Sequence, residues 1–235
     1  MFDVACDHAR RFRFEAASTA LLAIDMQRDF IAPGGIADAS GENVAAVQAI
    51  VPNVQRILAA AREHGLLVVH TREGHEPDLS DLPPAKQERS MAAGGEIGAK
   101  GPLGRFLVRG EYGHDFVDAL RPQEGELVID KSGFGAFHAT DLRERLSIRG
   151  ITHLLVTGVT TQCCVFSTLR EAVDRGYRCL TLADGTAAFD PFLHGATLRM
   201  IASEGHLFGW ISDSRRLSSA MGGQAMRGAP RACAG

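Results

Sequence analysis

Two adjacent cysteines, Cys163 and Cys164, stand in the stretch GVTTQCCV, in a chain whose other cysteines are Cys6, Cys179 and Cys233. Such a pair can be a reactive thiol, half of a metal site, a redox couple or two small buried side chains. A thiol becomes a useful nucleophile when its pKa falls or a base takes its proton. Cys164 opens a helical stretch, VFSTLREAVDRG, and helix N-terminal N–H groups stabilise both a thiolate and an oxyanion formed beside it. Cys163, one residue earlier, would point elsewhere, and a small buried residue is its simplest reading. Asp25 in AIDMQRDF is a candidate base. Lys131 in IDKSGFGAF ends an apolar run, where an ammonium needs a carboxylate partner.

The elements that would position these residues follow from the hydrophobic pattern. ALLAID (20–25), LLVVH (66–70), ELVID (126–130), HLLVTG (153–158) and YRCLTLAD (177–184) are short and almost continuously apolar, as strands covered on both faces should be. LFGWIS (207–212) reads as a last strand before a short helix. Helical patterns cover 43–64 with an interruption near Pro52, then 115–120, 141–149, 165–175 and 191–203. Gly65, Gly150, Gly176 and Gly205 follow helical segments, where a left-handed cap is wanted. Repeated strand–helix–strand units imply an α/β fold: a three-layer, doubly wound, mostly parallel sheet of about six strands with helices on both faces. Ligands of such sheets bind beyond the carboxyl ends of the strands. An acid, a lysine and a thiol occupy equivalent places at that one edge.

Length and composition set the frame. The 235 residues are 45% hydrophobic and 23% charged with net charge −3, which suits one globular domain and gives no reason to expect nucleic acid or a membrane as partner. No wholly apolar run approaches the roughly 18–20 residues of a membrane helix. The opening MFDVACDHARRFRFEAAS lacks a signal-peptide core, and five irregularly spaced cysteines do not make a disulfide framework. A reducing cytoplasm is the expected location. Residues 1–19 are expected as an N-terminal arm, 20–221 as the domain and 222–235 as a disordered tail. Residues 73–112, rich in Pro, Gly and charge, read as a lid, a binding loop or an oligomer contact.

The first strand's Asp in AIDMQRDF, the Lys of IDKSGFGAF and the GVTTQCCV turn together resemble the isochorismatase-like cysteine hydrolases, over about 21–212. The resemblance implies an Asp–Lys–Cys triad at Asp25, Lys131 and Cys164, since the family pattern Gly-x-x-Thr-x-x-Cys-Val puts its cysteine at Cys164. It also implies a non-proline cis peptide at Val159–Thr160 and an oxyanion hole from the N–H groups of Thr160 and Cys164. HTREGHEPDLSDLP, RGEYGHD and TLREAVDRGY look most like biuret and triuret hydrolases, which implies release of ammonia from a small ureido compound. Other implied substrates are N-carbamoyl amino acids, ureidoacrylate or nicotinamide. A protein that keeps the fold but uses Cys163 and Cys164 as a redox sensor is the competing class. Three departures bear on the substrate. Lys131-Ser-Gly-Phe134 replaces Lys-Pro-Gly-Lys, Glu204 aligns with a glutamine, and Asp184-Gly-Thr-Ala replaces a Cys-Cys-Gly-like segment.

A pocket for a flat ureido group needs polar groups on rigid walls and aromatic faces. Phe30, Phe137, Arg72 and Glu204 are the candidates, with Phe134 and Phe137 equally able to serve as core or pocket. Arg72 and Glu73 can equally pair with each other or with the loop. His70 and His75 invite a metal reading, but the chain lacks the Asp-Trp-His-x-x-His arrangement of related nicotinamidases. No metal and no cofactor are expected. Relatives are commonly dimers or tetramers, so a homo-oligomer is implied.

Overall fold

The computed structural model describes residues 1–225. In chain order its elements are β1 (Phe2–Ala5), β2 (Arg11–Phe14), β3 (Thr19–Ile24), α1 (Arg28–Ile31), α2 (Ile36–Ala39), α3 (Val44–Gln48), α4 (Val51–Glu63), β4 (Leu67–Glu73), α5 (Pro84–Ala92), β5 (Lys100–Gly101), β6 (Gly104–Arg105), β7 (Leu127–Lys131), α6 (Leu142–Ile148), β8 (His153–Val159), α7 (Phe166–Asp174), β9 (Arg178–Ala187), α8 (Pro191–Ile201), α9 (Ser203–His206), β10 (Trp210–Ser212) and α10 (Ser214–Ala225). Six strands form one sheet in the order β10-β9-β8-β3-β4-β7, and every neighbouring pair is parallel. The six apolar runs of the sequence are these six strands.

Period-two alternation divides the core between the two faces of the sheet. Leu21 and Ala23 of β3 join Val47 of α3, Val54 and Ile57 of α4 and Leu217 of α10 on one side. Ala20, Leu22 and Ile24 join Leu142 and Leu146 of α6, Leu169 of α7 and Ile201 of α8 on the other. The stretch Val44–Glu63 is long and apolar enough, by composition, to span a bilayer. Its apolar stripe instead covers the sheet, and a break at Ala49–Ile50 splits it into α3 and α4. The glycines at 65, 150, 176 and 205 all take positive φ, as expected of helix caps.

Several expectations change. The segment expected as an arm is the β1–β2 hairpin, whose Phe2, Val4, Phe12 and Phe14 are buried in the core while Arg11 and Arg13 pair with Asp3 outside. Alternation explains why a basic-looking run is half core. The helix expected at 115–120 is only a 3-10 turn, Asp118–Leu120. The expected tail begins inside α10, which extends to Ala225; residues 226–235 lie outside the described residues. The 73–112 segment is not structureless. Glu73 belongs to β4, α5 and the β5–β6 hairpin follow, and Ile97, Phe106 and Leu107 form a small core with Ile36 of α2.

Candidate active site

Four adjacent strands, β8, β3, β4 and β7, end at one edge. In register, Ile24 lies opposite both Thr71 and Gly158, and Glu73 lies opposite Lys131. Asp25, the residue after β3, adopts φ 50°, a left-handed conformation that Asp tolerates better than most residues. Its N–H donates to the Thr71 carbonyl at 3.1 Å, and the Thr71 hydroxyl donates to its Oδ1 at 2.5 Å. Gly158 sits at φ 115°, and a Cβ there would lie 2.1 Å from the Ile24 carbonyl oxygen. The close approach of β8 to β3 therefore requires glycine. The Val159–Thr160 peptide is cis. A π-helical turn, Thr161–Val165, then leads into α7 and carries Cys164 inward, with the Thr161 hydroxyl held 2.8 Å from His194 Nδ1.

The sheet edge brings Asp25, Lys131 and Cys164 together. Lys131 Nζ is 2.8 Å from Asp25 Oδ2 and donates to the Gly133 carbonyl at 3.0 Å. A second carboxylate shares the site. Glu73 Oε2 accepts the Cys164 Sγ–H at 3.1 Å and lies 3.4 Å from Lys131 Nζ, while Glu73 Oε1 is 2.6 Å from Lys86 Nζ of α5. Gln27 fixes this glutamate's backbone, accepting from the Glu73 N–H at 2.7 Å and donating to the Glu73 carbonyl at 2.8 Å. All four charged groups are buried.

Burial and pairing set the protonation states. The adjacent Cys163 sulfur and burial push the Cys164 thiol well above its usual range, so it rests protonated. Burial raises Asp25 despite the Lys131 ammonium. Glu73 is held below the ordinary carboxylate range because Lys131 and Lys86 outweigh its burial. Lys131, penalised by burial but facing Asp25, Cys164 and Glu73, stays charged. Of the two carboxylates, Asp25 is therefore the one fit to take a proton. Donor atoms of Asp25, Glu73 and Cys164 lie within 4.8 Å of one another. The Lys131 ammonium already supplies the positive charge among them, so this set does not fit a cation.

A cavity of about 320 Å³ opens onto the thiol. Its walls include Phe30, Phe134 and Phe189 with Ile36, Ile97, Leu107 and Val159, and Thr160, Cys163 and Cys164 form its floor. Cys163 is half-buried, packing against the core on one side and lining this cavity on the other. Phe30 and Phe134 lie where a pocket needs them. Three other candidates do not. Phe137 is buried and stacks on Tyr177 at 5.8 Å. Arg72 forms a two-pronged pair with Asp130 at 2.7 and 3.0 Å and lies over the Phe116 ring. Glu204 sits at φ 48° in the turn of α9, on the surface. His70 and His75 contact different carboxylates, Glu126 at 2.9 Å and Asp81 at 3.2 Å.

Glu73 and Lys86 are what the sequence reading missed. Ending β4 at His70, as the apolar run does, places Glu73 in the following loop. Extended by three residues, the strand puts Thr71 and Glu73 on one face and His70 and Arg72 on the other. Lys86 carries no such local signal.

Comparison with known proteins agrees with this geometry. The isochorismatase domain model matches residues 19–216. The chain belongs to the isochorismatase-like family. Among members of the family, the ureidoacrylate amidohydrolase RutB of Methylorubrum extorquens is 34% identical over 221 residues, covering 92% of this chain and 88% of the relative. The crystal structure of a cysteine hydrolase from Pseudomonas syringae pv. phaseolicola superposes with a TM-score of 0.75 at 27% identity, covering 89% of this chain and 97% of that one. An isochorismatase family protein from Desulfovibrio vulgaris gives 0.72 at 28%, covering 87% and 98%. The chain is accordingly an amidohydrolase of this family.

Proposed function

We propose that this amidohydrolase uses Cys164 as a nucleophile to cleave the terminal C–N bond of a small ureido compound with release of ammonia. One observation carries the reading: a protonated, buried thiol at the floor of an aromatic-walled cavity, within reach of a carboxylate whose proton affinity burial has raised. Asp25 takes the thiol proton as Cys164 Sγ bonds to the carbamoyl carbon, and the carbonyl electrons move onto oxygen. The N–H groups of Thr160 and Cys164, the expected oxyanion donors, hold that oxygen. Collapse of the adduct breaks the C–N bond as Asp25 protonates the departing nitrogen, leaving a thiocarbamate on Cys164. Water, deprotonated by Asp25, cleaves it and regenerates the thiol. Lys131 keeps Asp25 in place throughout.

The cavity lining also bears on the substrate. Glu42 and Arg89 line it and make no ion pair among the described residues. An acid that accepts N–H groups and a guanidinium that donates to carbonyl or carboxylate oxygen suit a flat molecule rich in both. The free guanidinium and the ureidoacrylate amidohydrolase relatives put ureidoacrylate first, with the uncharged triuret and biuret second. Ammonia release from wild type and Cys164→Ser against ureidoacrylate, triuret, biuret, N-carbamoyl amino acids and nicotinamide tests both levels. Turnover of one ureido compound, lost in the variant, is expected. Full turnover by Cys164→Ser removes the mechanism, and preference for nicotinamide removes the ureido class.

A further inference from the structure

One buried cation has no part in the chemistry above. Lys86 is only 7% exposed, yet it belongs to α5 in the 74–112 segment rather than to the sheet. Besides Glu73 Oε1 at 2.6 Å, its ammonium reaches the Ser132 carbonyl at 2.5 Å and lies 5.1 Å from the centre of the Phe134 ring. The ionisable groups that act on the Cys164 thiol are Asp25 after β3, Glu73 on β4, Lys131 on β7 and the neighbouring Cys163; Lys86 on α5 joins them through Glu73, and the buried His75, kept neutral chiefly by its burial, lies near both Glu73 and Lys86. Asp25 and Glu73 as carboxylates are balanced by Lys131 and Lys86 as ammonium groups. Without Lys86 the buried site holds one excess negative charge beside the sulfur, and an additional anion there opposes a thiolate.

We propose that Lys86 is a positioning residue that neutralises Glu73 and so permits Cys164 to ionise, which makes the docking of α5 onto the sheet edge a condition for a reactive thiol. This rests on the reading of Cys164 as nucleophile. Glu73 and Lys86 then work as a unit: the glutamate orients the thiol through the 3.1 Å hydrogen bond, and the lysine cancels the electrostatic cost of placing a carboxylate there. A helix of the insertion thereby contributes to the reactivity of a group that the sheet positions.

The test is the rate of iodoacetamide alkylation as a function of pH, with the labelled cysteine located by peptide mass, in wild type, Lys86→Met, Lys86→Arg, Glu73→Gln and the Glu73→Gln/Lys86→Met double variant. Lys86→Met is expected to move the alkylation midpoint to higher pH, slowing Cys164 about tenfold or more at neutral pH. Lys86→Arg stays near wild type. Glu73→Gln moves the midpoint down, and the double variant returns it to within about threefold of the wild-type rate, because its net charge is again balanced. Superimposable profiles for wild type and Lys86→Met, or slowing that the double variant does not reverse, overturn the role of Lys86 while leaving the nucleophile assignment intact. Should Lys86→Met not fold, Glu73→Gln against the double variant carries the test, and identical profiles overturn the proposal. A label on Cys163 in place of Cys164 overturns both readings.

Discussion

The two faces of β4 carry the same kinds of residue and put them to different use. Thr71 and Glu73 turn toward Asp25 and Cys164, where every hydrogen bond ends on a group of the site. His70 and Arg72, alternating with them, turn toward Phe116 and close structural pairs with Glu126 and Asp130. A histidine and an arginine beside an active-site edge look as suggestive in sequence as a threonine and a glutamate. Strand parity, not chemical type, decides which pair meets the thiol.

That contrast breaks if variants on the two faces behave alike. The largest effect belongs to the inner side: Cys164→Ser and Asp25→Asn should each lower kcat/KM for the preferred ureido compound by about a thousandfold or more. Their thermal melting should still show a folded enzyme. Near-wild-type turnover in Asp25→Asn would transfer the base role to Glu73. Arg89→Ala is next, with KM for ureidoacrylate up about tenfold and kcat within about twofold, while KM for biuret hardly moves; equal changes for both compounds would deny Arg89 a carboxylate.

On the outer side the expected effects concern stability. Although burial opposes it, hydrogen bonds from Arg62, the Gln123 N–H and His70 bring the Glu126 carboxyl down to about 2. A folded-state pKa below the unfolded value means stability that is present above about pH 4.5 and lost as pH falls toward 2. Arg62→Met should therefore lower the melting temperature near pH 6, with a loss that shrinks below about pH 4.5 and is small only near pH 2. An equal loss at both would show that packing, not charge, is what Arg62 supplies. The smallest change is expected for Arg72→Gln, which should cost about 1 kcal/mol or less in denaturant unfolding, since its ion pair is partly solvated. Its turnover should stay within about twofold, and a large loss would return Arg72 to the substrate pocket.

What the sequence made legible follows the same logic. The six apolar runs disclose the sheet because strands covered on both faces have no polar alternation to obscure them. Asp25, Lys131 and Cys164 are legible because each lies at a strand end, a position the local pattern marks. Phe30, in α1 six residues past the end of β3, remains near that edge. Glu73 was hidden by a boundary error of three residues, and boundaries are the least secure part of any reading by pattern. Phe137 can be core or pocket by type, and Glu204 rests on its alignment with a glutamine; packing against Tyr177 and a surface turn hold them instead. Lys86 was beyond reach, because the contact of α5 with the sheet edge is tertiary and no local periodicity encodes it.

The site joins positions remote along the chain: Thr71 meets Asp25 across 46 residues, Lys131 meets Glu73 across 58, and Cys164 meets Glu73 across 91. No short fragment contains its own reactive centre. During synthesis and refolding, Cys164 is an ordinary thiol until these long loops have closed, the slow step for topologies rich in distant contacts. Recovery of turnover during refolding should therefore lag behind recovery of helical signal, and it reports completion of the whole sheet.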